Sequence, residues 1–354
     1  MVRDFIINLY DELQIIRILL EGDEVLTNKD FADGAVTLMN KLREVRNASL
    51  VSNDAFENYR KFVISVTKSK ASPFEKLKKV THRFGELTPS IVDEYIKKEK
   101  LEGIKILPTP FYFQHRHFMC GQSSIRMAVS TFNRVTEEEV LNAIPNRKEG
   151  EVFFGEVFYA VCKLGYTPTM FGVPNKRFGA KMVDELIDEL SKKYLKDEEE
   201  IDIYEQLLIQ KCKGKGRVID HFITALEVFS ALNIGYPTMV IDGNHFYVIV
   251  GYDLNKRVFL VSDPAGYPFF PNEEIRNSFE RWDKLLGKGI IVSPKPQIKE
   301  VEDFDGPFYY GRYKEIINPP PLVLNRKERE ALESYEKIVR KFIEGPKTTI
   351  YRKA

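Results

Sequence analysis

Helix-like and strand-like patterning occupy different stretches of this chain, and that segregation limits the folds open to it. Up to about Lys100, apolar residues recur at helical spacing. Ile6, Leu9, Leu13, Ile16 and Leu20 fall on one stripe, and the spans 30–46 and 54–68 repeat the pattern, each opening on an Asp able to cap. Ser72-Pro73 followed by Glu75 marks another start, with proline at the first helical position. Further helices are predicted from Cys120 to about Phe132, from the capping box Thr136-Glu-Glu-Glu139, over 153–164 and over 219–232. The charged stretch 176–213 reads as helical, an insertion or a lid.

The residues 166–171 are expected to form a short edge strand. The main strands come late, at 238–241, 246–252, 258–262 and 289–293. Pro319-Pro320-Pro321 then precedes a last helix at 326–344. Helices first and antiparallel strands afterwards give an α+β class. The organisation expected is a helical N-terminal region over 1–105, a main domain over 106–318 with the insertion at about 176–216, and a helical tail over 319–354.

Composition excludes more than it assigns. With 354 residues and a net charge of +1, the chain has no long-range attraction for nucleic acid or anionic lipid, so neither is expected as a partner. No apolar run is long enough to span a bilayer, and charges arrive too early at the N-terminus for a signal peptide. Cys120, Cys162 and Cys212 cannot all pair, and none lies in a Cys-x-x-Cys unit, which fits a reducing, cytoplasmic setting.

Chemistry gathers at a few positions. Cys120 sits where an irregular stretch behind Pro108 and Pro110 gives way to a helix, and a helix start favours thiolate over thiol. Gly121 leaves space beside the sulfur for a substrate carbonyl. His245 opens a strand after Gly243-Asn244, and Asp263-Pro264 closes the next one. Were His245 to face Asp263, Tyr252 would face Lys256, leaving Asp253-Leu254-Asn255 as a three-residue hairpin loop. Opposed residues share a face, so the register the chemistry wants is one the turn permits. Gln114 lies six positions before Cys120, where a side-chain amide can donate to an oxyanion.

Taken singly, a strand-end His, a turn-starting Asp-Pro and a loop Gln are ordinary. His115 and His117 beside Cys120 do not complete a metal site, because no second ligand cluster accompanies them, and no cofactor is expected. Cys162 and Cys212 read as bystanders in helices, and His82 as a surface residue. His221 is explained by a helix start capped at Asp220. The aromatic run Tyr267-Pro-Phe269-Phe270 and Tyr309-Tyr310 read as packing or cleft wall.

In combination these residues resemble the bacteriocin-processing double-glycine peptidase family of papain-like cysteine proteases. Gln114 before Cys120-Gly121, then Gly243-Asn244-His245 entering an apolar strand, then Asp263-Pro264-Ala265-Gly266 carry the likeness over about 108–293. The stretch 153–166, ending Lys-Leu-Gly165-Tyr166, resembles the family's second helix and following strand. The resemblance implies a papain-like fold, with Cys120 as nucleophile, His245 as general base, Asp263 as orienter and Gln114 as oxyanion donor. It also implies a peptide or protein substrate, with Gly121 and Asn244 beside it. The chain departs from the family at Met119, where an acidic residue is usual, and at Gln122-Ser123-Ser124. It carries no Walker A sequence, so export of double-glycine peptides is not implied. Hydrolysis of a peptide bond is the function expected. Thiol acyl transfer, amidase action on a non-peptide substrate, or binding without turnover use the same fold.

Overall fold

In the computed structural model the described residues are 2–22, 25–145, 151–173, 183–191, 195, 198–212, 214–268, 270–271 and 287–294. The expected tail helix at 326–344 and Tyr309-Tyr310 lie outside them. Five helices come first: α1 (Val2–Glu21), α2 (Asn28–Asn47), α3 (Asn53–Thr67), α4 (Pro73–Gly85) and α5 (Thr88–Lys98). The stripe Ile6, Leu9, Leu13, Ile16 and Leu20 is buried along α1, as its spacing requires. The caps of α2 and α3 are Thr27 and Ser52, not the expected aspartates. Asp30 instead accepts from the Thr27 backbone N–H, completing a capping box. Ser72 caps α4 with Pro73 in its first turn, as expected.

The remaining elements build a mixed sheet with helices. After β1 (Ile104–Ile106) come α6 (Cys120–Ser130), α7 (Glu137–Ala143), α8 (Phe154–Lys163), β2 (Thr167–Phe171), α9 (Val183–Ser191), α10 (Glu198–Lys211), β3 (Arg217–Ile219) and α11 (Ala225–Asn233). Then follow β4 (Thr238–Asp242), β5 (His245–Asp253), β6 (Val258–Ser262), β7 (Phe270–Pro271) and β8 (Lys288–Ser293). The sheet runs β3-β2-β8-β4-β5-β6-β7, with β1 paired to β5 beside β4. Among the described strands, only β2 and β3 pair in parallel. Helix α6 packs on β5, while Phe229 of α11 stacks on Tyr252 at 4.6 Å.

Residues 1–297 form one compact unit. Side chains from α1 to α4, α6, α8 and the sheet share a single hydrophobic core. Tyr10 of α1 meets Phe84 of α4 and Phe111 edge-on, so the N-terminal helices lie directly against the stretch leading to Cys120. No described helix is long and apolar enough to cross a membrane.

Three expectations are corrected. The strand at 167–171 is not an edge, because β3 pairs along its outer side, and Ile219, expected to open a helix, instead ends that strand. Helix α11 starts later, at a capping box made by Thr224 and Glu227; His221 bonds to Glu227, and Asp220 caps nothing there. The charged insertion is no lid over its described part. Tyr204, Leu207, Leu208 and Ile209 of α10 are buried, and the Tyr204 hydroxyl donates to Glu156 of α8 at 2.9 Å.

The β5–β6 hairpin is the correction that matters for the site. Its turn holds Leu254 to Arg257, with Arg257 in the left-handed region at φ 57°. Asp253 Oδ1 accepts from the backbone N–H groups of Asn255 and Lys256, and this side-chain turn replaces the three-residue loop. Next to the turn, Asp253 pairs with Val258; beyond Ile249 the register shifts, so that Val248 pairs with Ser262. The extra residue is Val250, whose carbonyl accepts from Leu107 N–H at 2.7 Å. Without that bulge, alternation would put His245 and Asp263 on opposite faces of the hairpin. With it they share a face, although Asp263 falls opposite Tyr247, not opposite His245.

Candidate active site

Cys120 is the first residue of α6, behind a tight turn in which Met119 N–H reaches Arg116 O at 3.4 Å. Phe118 occupies the left-handed region of that turn at φ 66°, a costly conformation for a bulky side chain, and it is 66% exposed. The helix it introduces is buried along its whole length. Met119 contributes no side-chain cap, so nothing from the side chain before the sulfur competes for the first backbone N–H groups.

Gly243 and Asn244 form a two-residue hairpin loop between β4 and β5, with Asp242 paired to His245. Gly243 has φ 60°, the geometry that a type II′ turn asks of glycine at its first place. His245 is thereby fixed as the opening residue of β5. The Cys120 Sγ lies 3.8 Å from the Asn244 carbonyl, so the turn touches the sulfur through its backbone, while the Asn244 side chain is exposed.

The imidazole joins the remaining parts. Its Nε2 lies 2.7 Å from Asp263 Oδ1. An ionised carboxylate only accepts, so this nitrogen carries the proton. The Cys120 side chain lies near enough to the ring to raise its pKa, and with Nε2 taken by Asp263 the nitrogen left for the sulfur is Nδ1. Burial pulls the imidazole's pKa down, but the bond to Asp263 and the nearby Cys120 outweigh it and raise the value to about 10. Asp263 is itself held by the Ala265 N–H, which donates to the same Oδ1 at 2.8 Å.

Gln114 is buried, and its backbone N–H donates to the Pro264 carbonyl at 2.9 Å. The stretch leading to Cys120 is therefore tied directly to the turn that carries Asp263. The Gln114 Oε1 is buried with no partner among the described residues. An orphan of this kind costs about 1–3 kcal/mol and calls for a reason. The glycine at 121 has a different one from that expected. A Cβ there would lie 2.1 Å from Val152 Cγ2 and 3.4 Å from Phe246, so its lack of a side chain lets α6 approach Val152 and β5.

Around this core His82 and His115 are neutral and structural. His82 is buried, not surface-lying; its Nδ1 accepts from Arg126 of α6 at 2.9 Å, and its ring meets Tyr112 and Phe113 edge-on. Burial holds its pKa well below the usual range. Burial and then the nearby Lys78 lower His115 to about 3. Its Nε2 lies 3.3 Å from Glu137. Cys162 and Cys212 are both buried, and the Cys212 thiol together with burial pushes Cys162 far up, the condition of an inert thiol. Among the described residues, no three His, Cys, Asp or Glu side chains come together to hold a metal ion.

Nothing in the sequence hints at what stands behind Asp263. Gln14 and Asp11 of α1 bond to Gly266 and Tyr267 in the same turn, across some 250 residues of chain. No local signal could have found them, since both are ordinary polar residues off the apolar stripe of their helix.

No curated protein matches this chain. A family model described as the Peptidase_C39 like family matches residues 106–287, just over half of the chain and including Gln114, Cys120, His245 and Asp263. The chain belongs to this peptidase family.

Proposed function

We propose that the protein is a cysteine peptidase that hydrolyses a peptide bond, with Cys120 as nucleophile, His245 as acid and base, Asp263 as orienter and Gln114 as oxyanion donor. The observation that carries this reading is the single imidazole that is hydrogen-bonded to Asp263 and has the Cys120 side chain beside it. A protonated His245 beside the sulfur favours the thiolate, the form that attacks.

In the first half-reaction Cys120 Sγ bonds to the carbonyl carbon, and the oxygen takes up the electron pair. The Cys120 backbone N–H and the Gln114 amide N–H donate to that oxyanion. As it collapses, the C–N bond breaks and His245 Nδ1–H protonates the leaving amine. Water then attacks the thioester while His245 takes its proton, releasing the acid and restoring the imidazolium–thiolate pair. Asp263 keeps Nε2 protonated throughout, which directs Nδ1 to the sulfur and stabilises the imidazolium. The substrate class is a peptide or protein.

Turnover of a quenched fluorescent peptide library by the wild type and by Cys120→Ala tests the reading. Cleavage is expected from the first, and none above background from the second. Cleavage that survives Cys120→Ala would remove Cys120 from the role of nucleophile.

A further inference from the structure

The triad depends on where the turn 263–267 sits. That turn is closed by Gly266 N–H to Asp263 O at 2.9 Å and by Asp263 N–H to Tyr267 O at 3.3 Å. Because the Asp263 carboxylate also accepts from Ala265 N–H, its direction follows the backbone of the turn.

Beyond the strands, three of the hydrogen bonds made by the described residues tie the turn to other elements. One is the Gln114 N–H to Pro264 O. The other two come from α1: Gln14 Nε2 donates to Gly266 O at 2.5 Å, and the Tyr267 hydroxyl donates to Asp11 Oδ1 at 3.3 Å. The Gln14 amide is oriented before it reaches the turn. Its Oε1 accepts from Arg17 Nε at 2.9 Å, and Arg17 in turn pairs with Glu21 at 2.6 Å. With the oxygen so engaged, the nitrogen has to face the Gly266 carbonyl. Helix α1 is anchored by its buried stripe and, one turn before Gln14, by Tyr10 against Phe111, three residues before Gln114.

We propose that α1 is a brace for the catalytic machinery, and that Gln14 is a positioning residue which sets Asp263, and through it His245, by holding the Gly266 carbonyl. The proposal rests on the triad reading above. It assigns to the N-terminal helices a part in catalysis. Gln14 touches no reacting atom; its effect passes through the turn. The charged groups facing that turn are Asp11 and Arg17 from α1, and those facing the imidazole are Asp263 and Cys120.

The test compares full-length wild type with Gln14→Glu, which keeps an oxygen for Arg17 and replaces the donor to Gly266 by a charged acceptor. The readouts are kcat, KM, the pH profile of kcat/KM and the melting temperature. A loosened Asp263 supports the imidazolium less, so the brace predicts an alkaline limb moved to lower pH. It also predicts kcat reduced roughly tenfold or more, as small misplacements do elsewhere, with KM little changed. Tyr267→Phe removes the other bond from α1 by a single oxygen and decides by the same limb if Gln14→Glu melts early. An unmoved limb and unchanged kcat in a folded variant overturn the brace alone, provided that wild-type turnover requires Cys120. Turnover that survives Cys120→Ala would instead overturn the triad on which it rests.

Discussion

His245 and Asp263 are hydrogen-bonded at 2.7 Å without facing each other across the β5–β6 ladder. Outward continuation of the Val248–Ser262 pair sets Asp263 opposite Tyr247, so the bond is a diagonal one on a shared face. Such a bond depends on both the Val250 bulge and the turn at 263–267.

Asp263→Asn should therefore act chiefly on the basic side. The His245 pKa is raised to about 10 against its burial, and losing the carboxylate removes the first cause that raises it. The alkaline limb of kcat/KM should move to lower pH, and kcat should fall roughly a hundredfold or more, since an amide cannot stabilise the imidazolium. By the same linkage, stability contributed by His245 is complete below about 6.5 and is lost as pH rises through about 10. A pH–rate series from about 5 to about 11 checks this; an unmoved limb would take Asp263 out of the orienting role.

Gln114→Ala should slow the chemical step by roughly a hundredfold, as removal of an oxyanion donor does, with KM nearly unchanged. The buried and unpaired Oε1 argues that this amide is not kept for the stability of its own stretch. A raised KM with unaltered kcat would place Gln114 in substrate binding.

His82 and His115 should make the fold acid-sensitive. Both pKa values are lowered, His115 to about 3 from a usual 6.5, so the folded protein binds fewer protons than the unfolded chain in that range. Stability present above about 6.5 should decline as pH falls toward about 3. Melting curves of the wild type and of His115→Gln across that window should diverge, with the variant less pH-dependent. Parallel curves would contradict the burial of a neutral His115.

Removal of residues 1–107 should give insoluble protein. Leu77, Val80, Phe84, Ile91 and Val92 are fully buried in a core region that Phe111 and Tyr112 share, and truncation would strip that face. A soluble truncated chain with raised activity would mark the region as an inhibitory plug.

What could be read from the sequence was local. The helix starts at Ser72 and Thr136, the turn Gly243-Asn244 and the four late strands are each written in a few neighbouring residues. The structure brings Cys120, His245 and Asp263 together, and ties Gln114 to the Asp263 turn, because the strands fall where expected while a bulge at Val250 sets their register. What escaped depends on distant partners. The bulge at Val250 accompanies a bond from Leu107, and His82 is buried because Arg126 supplies a donor from another helix. The apolar side of α10 was masked by its charges, and its docking on α8 runs through Tyr204 and Glu156. Gln14 belongs to the same class.

The central claim is that Cys120 is the nucleophile. Its most direct test is timed alkylation of the native enzyme by iodoacetamide at neutral pH, with the modified cysteines mapped by mass spectrometry and turnover followed in parallel. Cys120 should be alkylated far ahead of Cys162 and Cys212, although all three thiols are buried, and activity should be lost in step with it. Alkylation of Cys120 no faster than of the other two, or full turnover by enzyme modified at Cys120, would contradict the claim.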